Sequence, residues 1–193
     1  FEKLQSKKIN LAVESPWLKK MFVEQGVSED KMVVTGKPSV DQIFDLVQET
    51  DVEKMYQEWE VAGKKKVILC SVPQLAEHGL LTWDEHWQEI DFLVATLSSQ
   101  PDAIVVLSLH PKSDPEKYES LATKYGAILA DQRIYSLLPA CDIFVATYSS
   151  TVVQAIGVGK PAIVVDFYDL NYTLYDDAPG VVDHRAQIRR EEE

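Results

Sequence analysis

Three consecutive hydroxyl residues, Ser149, Ser150 and Thr151, stand between two segments that have the character of regular structure. The apolar run 143–146 before them is typical of a buried strand, and the run 152–158 after them is typical of a short helix. A helix start offers unpaired backbone N–H groups and the hydroxyls add further donors, so this turn suits an anion such as phosphate. The alternative is that Ser150 or Thr151 only caps the helix, as in many turns between a strand and a helix.

A histidine ends another apolar run, because His110 follows residues 104–109 and precedes Pro111 and Lys112. Pro111 keeps the residue before it extended. The carboxyl ends of parallel strands lie at one edge of a sheet, where ligands bind, so we expect His110 near the hydroxyl turn. Its imidazole can donate to a phosphate oxygen, and Lys112 adds positive charge. The alternative is that His110 only satisfies loop backbone.

Four other polar residues are expected at the same edge of the sheet. Ser71 and Gln74 follow the first strand of the main sheet, and Arg133 lies in the corresponding loop after another strand. Gln154 lies on the first turn of the helix after Thr151, where a long amide can reach a diol such as ribose. An ordinary surface position is the alternative for each of these four residues.

Several common mechanisms lack their motifs in this sequence. It contains no Gly-x-Gly-x-x-Gly and no Walker phosphate loop. Ser149 is not in a Gly-x-Ser-x-Gly turn, and the four His and two Cys show no metal-ligand spacing. We therefore predict no metal site and identify no catalytic residue. Cys70 and Cys141 are predicted to be buried, and His78, His86 and His184 are predicted to lie at the surface.

The composition favours an ordinary globular protein. The chain has 193 residues, 46% of them hydrophobic, which suffices for a sizeable packed core. Its net charge of −12 argues against a nucleic-acid binder, which would carry a basic face. The sequence shows no signal peptide and no apolar run of membrane length, so the cytoplasm is the expected location.

The order of the predicted elements indicates an α/β fold. Unbroken apolar runs, typical of strands buried on both faces of a parallel sheet, alternate with helical patterns from residue 66 to about residue 166. One helical pattern begins with a capping box at Thr82, and another begins at Pro115. We predict a Rossmann-like, three-layer α/β/α domain with a mostly parallel sheet. Its predicted strands are 67–72, 104–109, 127–130, 143–146 and 162–165.

The first part of the chain is interpreted as a different domain. A strand, a helix and a second strand are predicted within residues 9–35, which is an unusual start for a doubly wound sheet. We therefore interpret residues 1–30 as the remnant of a preceding amino-terminal domain or a linker, and residues 31–193 as the Rossmann-like domain. After residue 183 the sequence is polar and too short for the closing helix that such a domain normally has.

Together these motifs resemble the carboxyl-terminal, donor-binding half of GT-B glycosyltransferases and of their relatives, the UDP-N-acetylglucosamine 2-epimerases. Segment 33–41 is similar to the junction segment of that superfamily. Segment 109–111 is similar to its His-Pro motif, which also occurs in capsule and teichoic-acid polymerases. The hydroxyl turn 149–151, together with 159–161, is similar to the turn and helix that hold the donor phosphate.

The resemblance implies a role for each candidate residue. The three hydroxyl residues of the turn would hold the donor phosphate with help from His110, and the loop around Arg133 would border the base. Gln154 stands where the family usually has a Glu that binds the ribose hydroxyls, so the contact would lack a charge. Ser71, Gln74 and Lys112 complete the predicted donor-binding set.

The function implied is that of a donor-binding domain of a GT-B glycosyltransferase in bacterial surface polysaccharide synthesis. The donor would be a nucleotide-sugar or a nucleotide-alditol phosphate, which is a substrate, and no cofactor is expected. The acceptor would be a glycan or lipid-linked, and membrane association would come only through the acceptor or other domains. A missing amino-terminal domain would supply the general base, so the isolated chain is expected to be inactive.

The sequence leaves two alternatives to the transferase function. The first alternative is an epimerase-like isomerase, although segment 149–154 lacks the Glu pair of the epimerases and segment 166–172 departs from their later motif, which favours a transferase. The second is a non-catalytic domain that keeps the fold. A polar and aromatic cluster is predicted to border the interdomain cleft, where it would help to select the sugar or the acceptor; the alternative is a solvated loop. The cluster consists of Tyr168, Asp169, Tyr172, Tyr175 and Asp176.

Overall fold

The computed structural model describes residues 10–61, 65–147 and 149–165. The chain divides into two compact units, Phe1–Asp45 and Leu46–Glu193. The predicted polar and aromatic cluster between residues 168 and 176, and His184, lie outside the described residues.

The first unit contains a two-stranded parallel sheet. Strand β1 (Leu11–Val13) pairs with β2 (Met32–Val34), and helix α1 (Pro16–Glu24) connects them. Ser15 caps α1 by accepting a hydrogen bond of 3.1 Å from the Leu18 N–H. Because β2 pairs with β1, it belongs to the first unit, whereas the sequence analysis placed it at the start of the second domain. The two compact units divide after Asp45. The assignment of residues 1–30 to a preceding domain or linker and of residues 31–193 to the Rossmann-like domain stays a prediction.

The described residues of the second unit form a five-stranded sheet from strands β3 (Lys66–Ser71), β4 (Ala103–Ser108), β5 (Ile128–Ala130), β6 (Ile143–Ala146) and β7 (Ala162–Val164). Each strand pairing is parallel, in the order β5-β4-β3-β6-β7. Its register aligns Ser71 with Ser108 and Cys70 with Val145, so the carboxyl ends of the central strands meet at one edge. This confirms the predicted mostly parallel sheet.

Helices cover both faces of this sheet. They are α3 (Val52–Glu58), α4 (Trp83–Ser98), α5 (Glu116–Tyr125), α6 (Ile134–Leu137) and α7 (Thr151–Gly157). Alternate residues of β3 pack on opposite sides: Ile68 and Cys70 belong to a core with α4 and α5, and Val67 and Leu69 to a core with α3, α6 and α7. Two hydrophobic cores on one sheet make the three layers of the predicted α/β/α fold. Helix α2 (Pro38–Glu49) crosses the division between the two units along the chain.

The predicted surface position of His86 is wrong. The capping box between Thr82 and Glu85 begins α4 at Trp83, and in that register His86, Ile90 and Leu93 form the buried face. His86 is fully buried, and its Nε2 lies 3.0 Å from the Tyr118 hydroxyl. Burial lowers the pKa of His86, because the charged form loses hydration.

The two cysteines are buried, as predicted. Both thiols are free, and burial raises the pKa of Cys70 to about 12 and that of Cys141 to about 11. Thiols that stay protonated are poor nucleophiles, which fits their packing role. Among the described residues, no helix combines the length and apolarity needed to cross a membrane.

Candidate functional site

A cleft of about 1030 Å³ lies at the carboxyl edge of the five-stranded sheet. Its walls are the segments that follow β3, β4, β5 and β6, which is where ligands bind in parallel α/β sheets. Seven of the nine predicted donor-binding residues line it, although they come from four separate segments. These residues are Ser71, Gln74, His110, Arg133, Ser149, Ser150 and Thr151.

The hydroxyl turn is organised by Ser149. The Ser149 hydroxyl donates to Thr151 Oγ1 over 2.9 Å, and the Ser149 Oγ accepts from the Thr151 N–H over 3.2 Å. The side chain of Ser150 makes no capping hydrogen bond and is exposed. Ser149 therefore does the local capping that the alternative interpretation assigned to Ser150 or Thr151. Since Thr151 Oγ1 accepts from Ser149, the proton of the Thr151 hydroxyl remains able to donate elsewhere.

The turn after β4 holds the His110 ring in one orientation. The Ser113 N–H donates to the His110 carbonyl over 2.8 Å, which closes the turn that contains Pro111. The Lys112 N–H donates to His110 Nδ1 over 3.2 Å. With Nδ1 acting as an acceptor, a neutral ring carries its proton on Nε2. His110 can therefore present an Nε2–H donor to a ligand in the cleft without becoming charged.

Lys112 and Gln154 do not line the cleft. Lys112 is exposed, and the hydrogen bond to His110 comes from its backbone and not from its ammonium group. Gln154 is half-buried on α7, and its Oε1 is buried with no hydrogen-bond partner among the described residues. Their predicted contacts with a donor stay predictions.

Arg133 brings positive charge to the wall formed by the segment after β5. Its Nη1 donates to the Tyr135 hydroxyl over 2.8 Å. This bond restrains a long side chain that is otherwise exposed to solvent. Asp131 and Gln132 line the same wall, so this segment offers both donors and acceptors to a polar ligand.

The sequence analysis missed several cleft residues. Ser108 ends β4 in register with Ser71, and Thr147 follows β6, so the strand ends themselves contained the signal. Thr147 is buried, and its Oγ1 has no hydrogen-bond partner among the described residues. His78, which was predicted only as a surface residue, is exposed and lines the cleft. Ser113 lines it as well, from the loop after His110.

Residues 2–188 match the family described as CDP-Glycerol:Poly(glycerophosphate) glycerophosphotransferase. The chain belongs to this family. The match includes all described residues of both compact units. It also agrees with the resemblance of the His-Pro segment 109–111 to teichoic-acid polymerases.

Curated relatives of this family member are longer proteins. One is the teichoic acid ribitol-phosphate polymerase TarK of Staphylococcus aureus (strain NCTC 8325 / PS 47), 27% identical over 146 residues. That alignment covers 74% of this chain and 28% of TarK. The chain therefore spans little more than a quarter of that relative's length.

Solved structures confirm the fold of this family member. A wall teichoic acid polymerase TagF soaked with CDPG has a TM-score of 0.54 at 14% identity, over 89% of this chain and 40% of that chain. The UDP-GlcNAc 2-epimerase from Methanocaldococcus jannaschii has a TM-score of 0.55 at 14% identity, over 80% of this chain and 45% of that chain. With the family match, these structures confirm the resemblance to the carboxyl-terminal half of GT-B glycosyltransferases.

Proposed function

We propose that this chain is the donor-binding domain of a transferase that adds alditol phosphate units to a bacterial surface polymer. The proposed donor is a CDP-linked alditol of the kind that the family's description names. The observation that carries the proposal is the cleft, where His110 and the hydroxyl turn from a separate segment come together. The family match and the similarity to a teichoic acid ribitol-phosphate polymerase support it.

The proposed reaction is the transfer of an alditol phosphate. An acceptor hydroxyl attacks the phosphorus that bears the alditol, a new P–O bond forms, and the P–O bond to the nucleotide breaks so that CMP leaves. Negative charge grows on the departing phosphate. The Nε2–H of His110 and the hydroxyls of Ser150 and Thr151 are the donors that would stabilise this charge.

The rest of the enzyme is also part of the proposal. A glycan or a lipid-linked acceptor and its general base would be held by a further, amino-terminal domain, since the chain spans only 28% of the relative TarK. A cytoplasmic location, with membrane contact only through the acceptor or other domains, belongs to the same proposal. The proposed donor is a substrate of the reaction, and the proposed reaction includes no cofactor.

The epimerase-like alternative has weaker support. The similarity to an epimerase structure is a similarity of fold at 14% identity. The matched family, in contrast, is described as a glycerophosphotransferase, and the curated relative as a ribitol-phosphate polymerase. A non-catalytic domain that keeps the fold is the other alternative. Binding of a nucleotide distinguishes the transferase from this last alternative.

The first test is calorimetric titration of this chain with CDP, CMP, UDP, GDP and dTDP, together with thermal unfolding. We expect CDP to bind, and at a hundred times its dissociation constant to stabilise the fold by about 2.7 kcal/mol. His110→Ala removes the Nε2–H donor and is expected to weaken CDP binding by roughly tenfold, as for a lost hydrogen bond to a charged group.

His110→Gln is the matched control, because an amide retains an N–H donor at the end of a similarly long side chain. It is expected to recover part of the lost affinity. Absence of binding by every nucleotide would argue for the non-catalytic alternative. Equal CDP affinity in His110→Ala and in the unchanged protein would remove His110 from the donor site.

A further inference from the structure

A line of polar side chains runs from the cleft into the hydrophobic core between α4 and α5. Gln74 Nε2 lies 3.3 Å from Ser113 Oγ, and the Ser113 hydroxyl lies 3.2 Å from Glu77 Oε1. The Tyr118 hydroxyl lies 3.3 Å from the same carboxylate oxygen, and His86 Nε2 lies 3.0 Å from the Tyr118 oxygen. The proposed reaction uses neither the carboxylate nor the two core residues behind it.

The donor and the acceptor of each hydrogen bond in this line follow from how many protons each group carries. The Gln74 NH₂ group can only donate, so Ser113 accepts from it and directs its own proton to Glu77. The Tyr118 hydroxyl also donates to Glu77 Oε1. Because the single hydroxyl proton of Tyr118 is donated to Glu77, the Tyr118 oxygen can only accept from His86, which therefore donates through Nε2. Both branches end on Glu77 Oε1.

The geometry makes Glu77 the common anchor of two loops. Gln74 and Ser113 line the cleft, whereas Glu77 does not. Gln74 is 6% exposed and Ser113 is 9% exposed, so water competes little for their hydrogen bonds. The other carboxylate oxygen, Oε2, is buried with no partner among the described residues. The hydrogen bonds of Glu77 with Ser113 and with Tyr118 both go to Oε1.

We propose that Glu77 is a positioning residue of the cleft, which fixes the orientation of the Gln74 amide through the Ser113 hydroxyl. A hydrogen bond to a charged acceptor is about twice as strong as a neutral one, so the carboxylate is needed for a rigid link. A fixed amide presents one defined pattern of donor and acceptor to a ligand. The effect on ligand affinity rests on the proposed donor site, but the effect on Gln74 itself does not.

The test uses the full chain and two measurements. The first is the solvent-exchange rate of the Gln74 side-chain amide protons by NMR, assigned by their loss in Gln74→Ala. The second is the dissociation constant for CDP by calorimetry. Glu77→Gln removes the charge and is expected to raise both by roughly three- to tenfold, the equivalent of one ordinary hydrogen bond. Glu77→Asp, which keeps the charge but is too short to reach Ser113, replaces it if Glu77→Gln does not fold.

A double-mutant cycle with Ser113→Ala tests the route. If Glu77 acts through Ser113, Glu77→Gln has no further effect in the Ser113→Ala background. His86→Leu is the control, since it removes the hydrogen bond to Tyr118 at the core end of the line and none of the contacts of Ser113 or Glu77. It is expected to leave the Gln74 exchange rate within about twofold of the unchanged protein, as for a site that shares no partner with Gln74.

Three results would overturn the proposal: no change in Gln74 exchange with Glu77→Gln, the same change in the Ser113→Ala background, or an equal change with His86→Leu. Failure of CDP to bind the unchanged protein would contradict the proposed function instead. In that case the Gln74 exchange rates alone would still decide whether Glu77 positions the amide.

Discussion

At the scale of single residues, two buried threonines beside the cleft differ in whether their hydroxyls have a partner. Thr151 Oγ1 accepts a hydrogen bond of 2.9 Å from Ser149. Thr147 Oγ1 is buried and has no partner among the described residues. A buried hydroxyl without a partner costs free energy on folding, whereas a paired one contributes to stability. Such a cost is tolerable at a site where a ligand supplies the missing partner.

Replacing each threonine with valine is therefore expected to have opposite effects on the free energy of unfolding. Thr147→Val removes an unpaired hydroxyl at similar volume and is expected to raise it by up to about 1 kcal/mol. Thr151→Val breaks the bond from Ser149 and is expected to lower it by about 1 kcal/mol. Urea unfolding of the two variants measures both values. A decrease of the same size in both would mean that the Thr147 hydroxyl is paired in the folded protein.

At the scale of elements, one carboxylate joins the beginnings of the two central strands β3 and β6. Asp142 accepts from the Lys66 ammonium over 2.8 Å and from the Val67 N–H over 2.9 Å. The Asp142 N–H donates in turn to the Val67 carbonyl over 2.9 Å. Partial burial alone would raise the pKa of Asp142, but these two donors hold it below the ordinary aspartate value.

This depressed pKa predicts how stability depends on pH. Its stabilisation is fully present above the unfolded aspartate pKa of about 3.9 and is lost as the pH falls through the lower folded value. Asp142→Asn is expected to lower the free energy of unfolding at pH 7 by about 0.5–1 kcal/mol, because water screens the exposed Lys66. Below about pH 4 the difference from the unchanged protein should shrink.

Urea unfolding at a series of pH values from neutral to acidic measures this dependence. Asp131→Asn is a suitable control, since Asp131 is exposed after β5 and makes no ion pair among the described residues. A difference between Asp142→Asn and the unchanged protein that stays constant with pH would show that the carboxylate charge does not stabilise the strand pair.

At the scale of the whole molecule, stability rests on the two cores that flank the five-stranded sheet. Ile90 on α4 is fully buried among residues of β3, β4 and α5, whereas Ile156 on α7 is 58% exposed. The same side chain therefore stands once in the core and once at the surface, both times within a helix. Replacing isoleucine with alanine at each position measures how much burial in the core contributes to the free energy of unfolding beyond helix propensity.

Ile90→Ala is expected to lower the free energy of unfolding by about 2–5 kcal/mol, from lost burial and the cavity left behind. Ile156→Ala is expected to change it by less than about 0.5 kcal/mol. Equilibrium urea unfolding, followed by far-ultraviolet circular dichroism, compares the two variants. Similar losses in both would mean that the exposed face of α7 is covered in solution.

Local sequence patterns determined the elements and the fold class of this protein. Unbroken apolar runs such as 143–146 and the capping box at Thr82 depend on interactions between near neighbours, which a sequence displays directly. The parallel order of the strands followed from their alternation with helices. That order already placed His110 and the hydroxyl turn 149–151 at one edge of the sheet.

Only the tertiary structure decided which side chains share a surface. It buried His86, brought Ser113 and Thr147 into the cleft, and left Lys112 and Gln154 outside it. These outcomes depend on the rotation of each helix and the path of each loop. Packing against distant segments determines both, so no local pattern encodes them. The line from Gln74 to His86 joins residues 12 apart in sequence through partners from another loop and another helix, and therefore exists only in the folded chain.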